Sequence, residues 1–402
     1  AFLAVDTKEC KSVCLKRHRN LSVESLADLF VLGNRLAEVD PGGEVFPKIL
    51  DAFYDIIGFT VEDLLEGQNC LSKAQQEPEF FTDLRNLKTC AVGALRGLEK
   101  LDQAGVVHND VKPDNLMWVE AGGSSSSSTA RVKIVDFGCA RLDQREENGR
   151  NWALSEGGAG HLGKWSPEMT LRLPITHRGD VWGVAISLCE LFCSRFVWRS
   201  EQDTAEVVLA QALGICNLKD GLPSSLLRRS PLDVRQLYTP APRHWPLRRN
   251  TRGQLEALRP VRWGLDQVLG HGWQETHKGE LGQLLEAALI IDPTFRPSAS
   301  NLLRRCIFLQ PVVEKEPEPV EPTLVEEEEV PEVPVEPQVE KVPEVPEVPA
   351  EEQPVEKVPE VPEVPADEPA GSAAAPEETQ LSTEVPQGPL VPASDTASPP
   401  AE

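Results

Sequence analysis

The chain has 402 residues and a formal net charge of −24 at pH 7, and its composition divides it into two unequal parts. Residues 311–402 hold 25 acidic residues against 3 lysines, together with 21 of the 35 prolines, and contain no aromatic residue and no cysteine. So little apolar surface cannot offset the conformational entropy lost on ordering, so we expect a disordered tail. Its negative charge argues against nucleic acid or an anionic membrane as a partner.

Residues 1–310 carry 39 acidic and 37 basic residues and are numerous enough to form a real hydrophobic core. The nine cysteines are odd in number and irregularly spaced, which is not the pattern of a disulfide framework or a zinc site. The sequence has no apolar stretch long enough to span a membrane, and its first residues do not form a signal peptide. We therefore expect an intracellular protein, cytoplasmic or nuclear.

Hydrophobic periodicity in the first 67 residues predicts strands around one helix. Ser22 is a typical helix N-cap and precedes leucines at helical spacing, and Pro-Gly-Gly at 41–43 ends that helix. Short apolar runs bounded by turn residues predict strands at 1–5, 12–15, 49–54 and 56–65.

Farther along the chain, the periodicity becomes mostly helical. The predicted elements are a helix at 84–101 closed by Gly105, strands at 115–118 and 132–135 around a flexible Gly/Ser loop at 122–129, and helices from Trp182 onward. Strands first and helices later predict an α+β protein in two lobes. We place a small β-rich N-lobe at 1–67 and a larger helical C-lobe at 68–310.

The tail contains an internal repeat, because residues 339–350 and 355–366 have the same sequence. Proline at every third position prevents a helix or a sheet ladder and favours extended polyproline II, which repulsion between the glutamates stiffens further. This pattern is typical of a spacer or docking arm, and an inert solvated tail is the alternative.

The residues with the clearest chemistry lie at 108–115 and 136–138. One tight loop holds the carboxylate of Asp110, the cation of Lys112 and the amide of Asn115, and a second carboxylate, Asp136, follows a short strand. Phosphoryl transfer needs a carboxylate for the hydroxyl proton, a cation for the transferred group and oxygen ligands for Mg²⁺. The two stretches resemble the catalytic loop and the Asp-Phe-Gly turn of the eukaryotic protein kinase superfamily.

Other stretches resemble the same superfamily in the same order along the chain. They are 12–16, similar to the strand that carries the ATP-binding lysine; Ser166-Pro167-Glu168, similar to the end of the activation segment; Asp180, similar to the aspartate that steadies the catalytic loop; and 292–297, similar to the late arginine block. In the family that arginine pairs with the glutamate, which predicts a buried Glu168–Arg296 ion pair. The resemblance covers most of 1–309 and implies a two-lobed protein kinase fold.

The resemblance implies catalytic roles for the loop residues in a kinase that phosphorylates Ser or Thr hydroxyls of proteins. Asp110 would orient and deprotonate the hydroxyl, Lys112 would steady the γ-phosphate, and Asn115 would help to hold the metal. A lysine two residues after the aspartate is the pattern of the Ser/Thr members. His108 is expected to pack and form hydrogen bonds rather than to bind a ligand.

The resemblance also implies ATP and Mg²⁺ as cofactors. Lys16 would anchor the α- and β-phosphates, and Asp136 would bind the metal together with Asn115. We include Asp63, near the end of the 56–65 run, among the cofactor-binding candidates. The acidic partner of Lys16 is expected at Asp28 on the first helix, with Glu24 one turn earlier as the alternative.

Two departures from the family pattern concern the ATP cover and the activation segment. No Gly-x-Gly-x-x-Gly precedes Lys16, so we expect that the chain begins just after the glycine-rich loop. Asn109 stands where the family has an arginine, and a neutral amide cannot form a charge-assisted pair with a phosphate. Phosphorylation of the segment 138–165 is therefore not expected to switch the enzyme, and that segment must be ordered in another way.

The same segment also differs near its two ends. His161 replaces the usual threonine, which bears on how the substrate is positioned. Cys139, directly after Asp-Phe-Gly, is expected to be an inert half-buried thiol, with a modifiable thiol as the alternative.

The rival interpretations of the whole chain are a pseudokinase scaffold, which only organises partners through its helical lobe and acidic tail, and a small-molecule kinase of the same superfamily. The upstream sequence would discriminate, since an intact glycine loop favours the enzyme and a degraded one the scaffold. The segment 228–262 holds nine arginines against two acidic residues. We expect the tail to fold back onto these arginines, with a solvated arginine face as the alternative.

Overall fold

The computed structural model describes residues 1–18, 22–120, 130–142, 160–197, 204–270 and 273–310. All of them belong to one compact unit, 1–319. The predicted Gly/Ser loop at 122–129 and the predicted tail lie outside the described residues. The fold is α+β and two-lobed, with a sheet in the N-terminal region and helices in the C-terminal region, as predicted.

The N-terminal region is a four-stranded antiparallel sheet with one helix packed against it. Its elements are β1 (Phe2–Asp6), β2 (Lys11–His18), α1 (Val23–Val39), β3 (Ile49–Asp55) and β4 (Ile57–Asp63), and the strand order is β1-β2-β4-β3. Ser22 caps α1 by accepting a hydrogen bond from the Ser25 backbone N–H at 3.2 Å. The four predicted strands and the helix are confirmed.

The C-terminal region consists mainly of helices. Its elements are β5 (Gly67–Asn69), α2 (Cys70–Gln76), α3 (Leu84–Gln103), β6 (Val106–Val107), β7 (Leu116–Val119), β8 (Arg131–Ile134), β9 (Arg141–Leu142), α4 (Pro167–Thr170), α5 (His177–Cys193), α6 (Ala205–Ile215), α7 (Ser224–Leu227), α8 (Leu232–Arg235), β10 (Leu247–Arg249), β11 (Leu255–Ala257), α9 (Gly264–Leu269), α10 (Glu275–Lys278), α11 (Glu280–Ala288) and α12 (Ala299–Arg305). None of the helices in the described ranges is long and apolar enough to cross a membrane.

The predicted helix at 84–101 is confirmed as α3, and the predicted strand pair is confirmed as antiparallel β7 and β8. β7 begins one residue later than predicted. The reason is that Asn115 ends a 3₁₀ turn, Pro113–Asn115, in which its N–H donates to the Lys112 carbonyl at 2.9 Å instead of to a strand. The turn places Asn115 within the catalytic loop instead of the strand.

Helix α5 forms the centre of the core. Fourteen of its 17 residues are buried, so it is enclosed on all sides rather than along one stripe. Helix α3 packs between α5 and β8. A Cβ at Gly97 of α3 would lie 2.6 Å from Ile134 Cδ1, so only glycine permits this close approach of helix and strand. The packing fixes the end of β8, where Asp136 follows.

Candidate active site

The loop that begins at His108 is fixed to the first turn of α5. The backbone N–H groups of His108 and Asn109 each donate to one carboxylate oxygen of Asp180, both at 2.8 Å. Asp180 is buried, and burial raises the pKa of its carboxyl despite these two bonds. Asn109 has a φ of 64°, a left-handed conformation that asparagine tolerates better than most residues. The predicted steadying role of Asp180 is confirmed.

His108 joins the loop to the strand end that carries Asp136. Its ring is fully buried, and burial lowers its pKa, so the imidazole is neutral. Nε2 lies 3.1 Å from the carbonyl oxygen of Val135, and Nδ1 accepts from the Asp110 backbone N–H at 3.3 Å, so the hydrogen-bond network assigns the proton to Nε2. The ring packs edge-on against Phe137 with centroids 5.2 Å apart. The predicted packing role is confirmed.

Three predicted site residues meet around the carboxylate of Asp110, which is buried. Lys112 Nζ lies 2.7 Å from Oδ2, and Asn115 Nδ2 donates to the same oxygen at 3.1 Å. The backbone N–H of His161 donates to Oδ1 at 2.8 Å. The carboxylate is therefore held from both sides, by its own loop and by the segment that ends at Ser166-Pro167-Glu168.

The second predicted carboxylate, Asp136, lies beside this loop and contacts Lys16. The Val135 N–H donates to the Asn115 carbonyl at 3.0 Å, which joins the two chain segments. Lys16 Nζ on β2 lies 2.5 Å from Asp136 Oδ1. Burial alone would raise the pKa of Asp136, but the charge and hydrogen bond of Lys16 outweigh it, and the pKa is lowered. Asp136 therefore stays ionised at neutral pH.

The acidic residues of α1 do not pair with Lys16 in this structure. Asp28 and Glu24 both lie on the exposed side of the helix, opposite the buried Leu26 and Leu29 that contact the rest of the fold. The ion pair of Lys16 is with Asp136 instead. The expected Asp28 partner was therefore wrong, because helical spacing alone did not show which face of α1 turns towards Lys16.

Asp63 also lies apart from the catalytic loop. It pairs with Lys11 at 2.8 Å and stands opposite Val13 in the β2–β4 ladder, whereas Thr60 stands opposite Lys16. Because side chains alternate along a strand, Val13 and Lys16 face opposite sides of the sheet. The carboxylate of Asp63 is therefore on the other face from the ammonium of Lys16, and the structure does not bring it to the site.

Glu168 and Arg296 form the predicted ion pair in the C-terminal region. Two guanidinium nitrogens of Arg296 donate to the two carboxylate oxygens at 2.7 and 3.0 Å, and neither side chain has any exposed surface. Nε also donates to the Ile290 carbonyl and Nη1 to the Arg178 carbonyl, and the guanidinium lies over the Trp182 ring. This confirmed pair fixes the end of the segment that contacts Asp110.

Sequence reasoning missed a second buried ion pair, between Lys164 and Glu190 of α5. The available signal was that Lys164 is the only charged residue in 160–167, next to glycine and tryptophan. Cys139 is half-buried, and burial raises the pKa of its thiol, which favours the inert interpretation over the reactive one.

The comparisons with known proteins agree with this geometry. The family model "Protein kinase domain" matches residues 54–308. Mouse homeodomain-interacting protein kinase 4 is 30% identical over 155 residues, which is 38% of this chain and 23% of the relative. The probable serine/threonine-protein kinase PknB of Bifidobacterium longum is 25% identical over 195 residues, 48% of this chain and 24% of the relative.

A third relative, the dual specificity protein kinase lkh1 of Schizosaccharomyces pombe, is 22% identical over 273 residues, 64% of this chain and 36% of the relative. The chain thus matches roughly a quarter to a third of the length of these relatives. The family model spans more than half of the chain, and the residues it covers include the loop around Asp110 and the Glu168–Arg296 pair. The chain therefore belongs to the protein kinase domain family.

Proposed function

We propose that this chain is a serine/threonine protein kinase, which transfers the γ-phosphoryl group of ATP to hydroxyl groups of proteins with the help of Mg²⁺. The observation that carries the proposal is the convergence of Asp110, Lys112 and Asn115 on one loop beside Asp136 and Lys16. These five groups come together from three separate parts of the chain: residue 16, the loop 110–115 and residue 136.

Asp110 is the proposed base. Its Oδ1 and Oδ2 are held by the His161 N–H on one side and by Lys112 and Asn115 on the other, so the carboxylate cannot turn away from an incoming hydroxyl. Lys112 places a positive charge directly beside this carboxylate. In the proposed reaction Asp110 accepts the hydroxyl proton, and Lys112 stabilises negative charge on the group that is transferred.

The donor atoms of Asn115 and Asp136 fit a magnesium ion. Asn115 makes both of its side-chain hydrogen bonds through Nδ2, and Asp136 makes both of its through Oδ1. Within the described ranges, this leaves Asn115 Oδ1 and Asp136 Oδ2 as hard oxygen donors. One carboxylate and one amide suit Mg²⁺, which binds few protein groups and completes its shell with phosphates and water. When bound, the ion would neutralise charge on the phosphates.

Lys16 is the proposed phosphate anchor. Its ammonium is half-buried and lies beside Asp136, the proposed metal ligand, which supports a role for Lys16 in binding the phosphates. The preference for Ser and Thr rests on Lys112 two residues after Asp110. A relative named as a serine/threonine-protein kinase supports it, whereas another is named as a dual specificity kinase.

The test measures phosphate transfer from labelled ATP to a generic basic protein by the full-length protein, including any residues encoded upstream of Ala1. Asp110→Asn should lose about 10²-fold or more of the activity, because the base is removed while its hydrogen-bonding shape is kept. Asp136→Asn should lose Mg²⁺-dependent nucleotide binding as well, measured with a fluorescent nucleotide.

The matched control is Asp220→Asn, which removes a carboxylate that is 85% exposed and whose ion pair within the described ranges is with Arg243 on the surface. It should leave transfer unchanged. If the wild type and Asp110→Asn are equally inactive while both bind protein partners normally, the pseudokinase scaffold is the correct interpretation. Transfer to tyrosine at a similar rate would contradict the preference for Ser and Thr but not the proposed protein kinase activity.

A further inference from the structure

The part of the activation segment that reaches Asp110 is anchored by a lysine inside the protein. Lys164 ends a short 3₁₀ turn, Leu162–Lys164, and its ammonium pairs with the carboxylate of Glu190 on α5. The two side chains are only 6% and 4% exposed. Glu190 also accepts a hydrogen bond from the Val197 N–H at 3.3 Å, so its position is set by the core helix and by the chain that follows it.

Short hydrogen bonds connect this anchor to the proposed base. The backbone N–H of Lys164 donates to the carbonyl of His161 at 2.8 Å, and the N–H of His161 donates to Asp110 Oδ1 at 2.8 Å. Gly160 makes the contact possible, since its φ is +79° and a Cβ there would lie 2.3 Å from the Asn109 carbonyl oxygen. A displacement of Lys164 would therefore pull the His161 N–H away from the carboxylate.

The pair is poorly suited to stabilising the fold. Burial is the largest influence on both groups, and it lowers the pKa of Lys164 and raises the pKa of Glu190 in spite of their mutual attraction. On the neighbouring loop, the charge of Asp114 raises the pKa of Lys164 and that of Lys112 lowers it. Asp114 also raises the pKa of Glu190. When desolvation outweighs attraction, an apolar pair of similar volume is often as stable or more stable. The stability of the fold therefore does not by itself explain why Lys164 and Glu190 are buried as a charged pair.

Other contacts on the loop show how the segment can be held without a phosphate. Asn109, which cannot bind a phosphate by charge, instead donates through Nδ2 to the Cys139 carbonyl at 3.2 Å. That contact holds the beginning of the segment, and the Lys164–Glu190 pair holds its end. A buried pair of opposite charges has one favourable geometry, so it fixes position more strictly than an apolar contact does.

We propose that Lys164 and Glu190 are positioning residues, whose ion pair holds the segment against Asp110 and shapes the place where the protein substrate binds, without phosphorylation. The effect on catalysis rests on the proposed kinase activity, whereas the effect on the His161 N–H does not. Neither residue touches the reacting atoms, so both act through His161.

The test replaces both charges by apolar side chains of similar length, in Lys164→Met/Glu190→Met. The first readout is hydrogen–deuterium exchange of the His161 amide, which needs no activity. We expect exchange to become about tenfold faster or more, the equivalent of one lost hydrogen bond, with a melting temperature that is unchanged or higher. With active protein, KM for the protein substrate should rise by a similar factor while KM for ATP stays the same.

The control is Lys73→Met/Glu77→Met, which removes another pair with a buried lysine, between α2 and the residue that follows it, away from the segment. It should leave exchange at His161 unchanged. Unchanged exchange in Lys164→Met/Glu190→Met would overturn the proposal, and so would an increase spread equally over the amides of α5, because that would indicate a structural pair. If this variant does not fold, Lys164→Met/Glu190→Gln is measured against the same criteria.

Discussion

At the scale of single residues, the charged groups differ mainly in how completely their partners compensate for burial. Arg296 is fully buried, yet Glu168 and two carbonyl groups accept from its guanidinium. Lys16 and Asp136 are partly exposed. Within the described ranges, Asp136 Oδ2 accepts no hydrogen bond, so it can bind a ligand. A complete network fixes structure, whereas an incomplete one leaves capacity for binding.

The Glu168–Arg296 pair leads to a prediction about stability. Glu168→Gln should lower the free energy of unfolding by about 3–5 kcal/mol, because it leaves the guanidinium charge buried without its counter-charge. Chemical denaturation of the folded protein would measure this change.

The control for that measurement is Arg172→Met, which breaks a pair with Asp233 in which the two side chains are 55% and 62% exposed. Its cost should be only about 0–1 kcal/mol. An equal decrease in the free energy of unfolding for the two variants would mean that burial does not determine how much these ion pairs contribute to stability.

At the scale of elements, the loop and the activation segment are held by neutral groups and by two internal ion pairs, Lys164–Glu190 and Glu168–Arg296. The side-chain amide of Asn109 contacts the Cys139 carbonyl, in the region where the family pattern has an arginine for a phosphate. Residues 143–159, in which a phosphate would be expected, lie outside the described residues. The two described ends of the segment nevertheless both contact the catalytic loop.

The corresponding prediction is that phosphatase treatment of the purified protein leaves its kinase activity largely unchanged, because Asn109 offers no charge for a phosphate. Mass spectrometry before and after treatment would verify that phosphate has been removed. A large fall in activity, traced to a site between Gly138 and Trp165, would show that another cation binds that phosphate.

At the scale of the whole molecule, opposite charges concentrate in two stretches of the sequence. All nine arginines of 228–262 are exposed, and three of them pair with acidic residues: Arg229, Arg243 and Arg248. Among the described residues, others such as Arg228 and Arg252 have no ion pair, so the segment 228–262 retains net positive charge. Contact with the tail of charge −22 remains a prediction from the sequence.

Deleting 311–402 should increase the binding of acidic peptides to the remaining protein at low ionic strength, because the competing carboxylates are removed. Exposed ion pairs contribute only about 0.2–1 kcal/mol each, so the difference should shrink as salt screens them. Fluorescence anisotropy of a labelled poly-glutamate peptide would measure it. Equal binding by the full-length and shortened proteins at low salt would show that the tail does not compete for the arginines.

The sequence by itself was sufficient for six of the strands, β1 to β4, β7 and β8, and for the helices α1 and α3. Strand and helix periods, the Ser22 cap and the turn residues are local signals, so α1, α3 and the β7–β8 pair followed from neighbours in the chain. The Glu168–Arg296 pair was predicted across 128 positions only because both residues lie in stretches that resemble a known family.

For the other ion pairs around the site, only the tertiary structure decided which charges meet. Lys16 contacts Asp136 rather than Asp28, Asp63 faces the other side of the sheet, and Lys164 reaches Glu190 within the core. Each of these outcomes depends on how a whole helix or strand is rotated and packed against another. That orientation is set by the packing of many side chains from distant parts of the chain, so local periodicity cannot predict it.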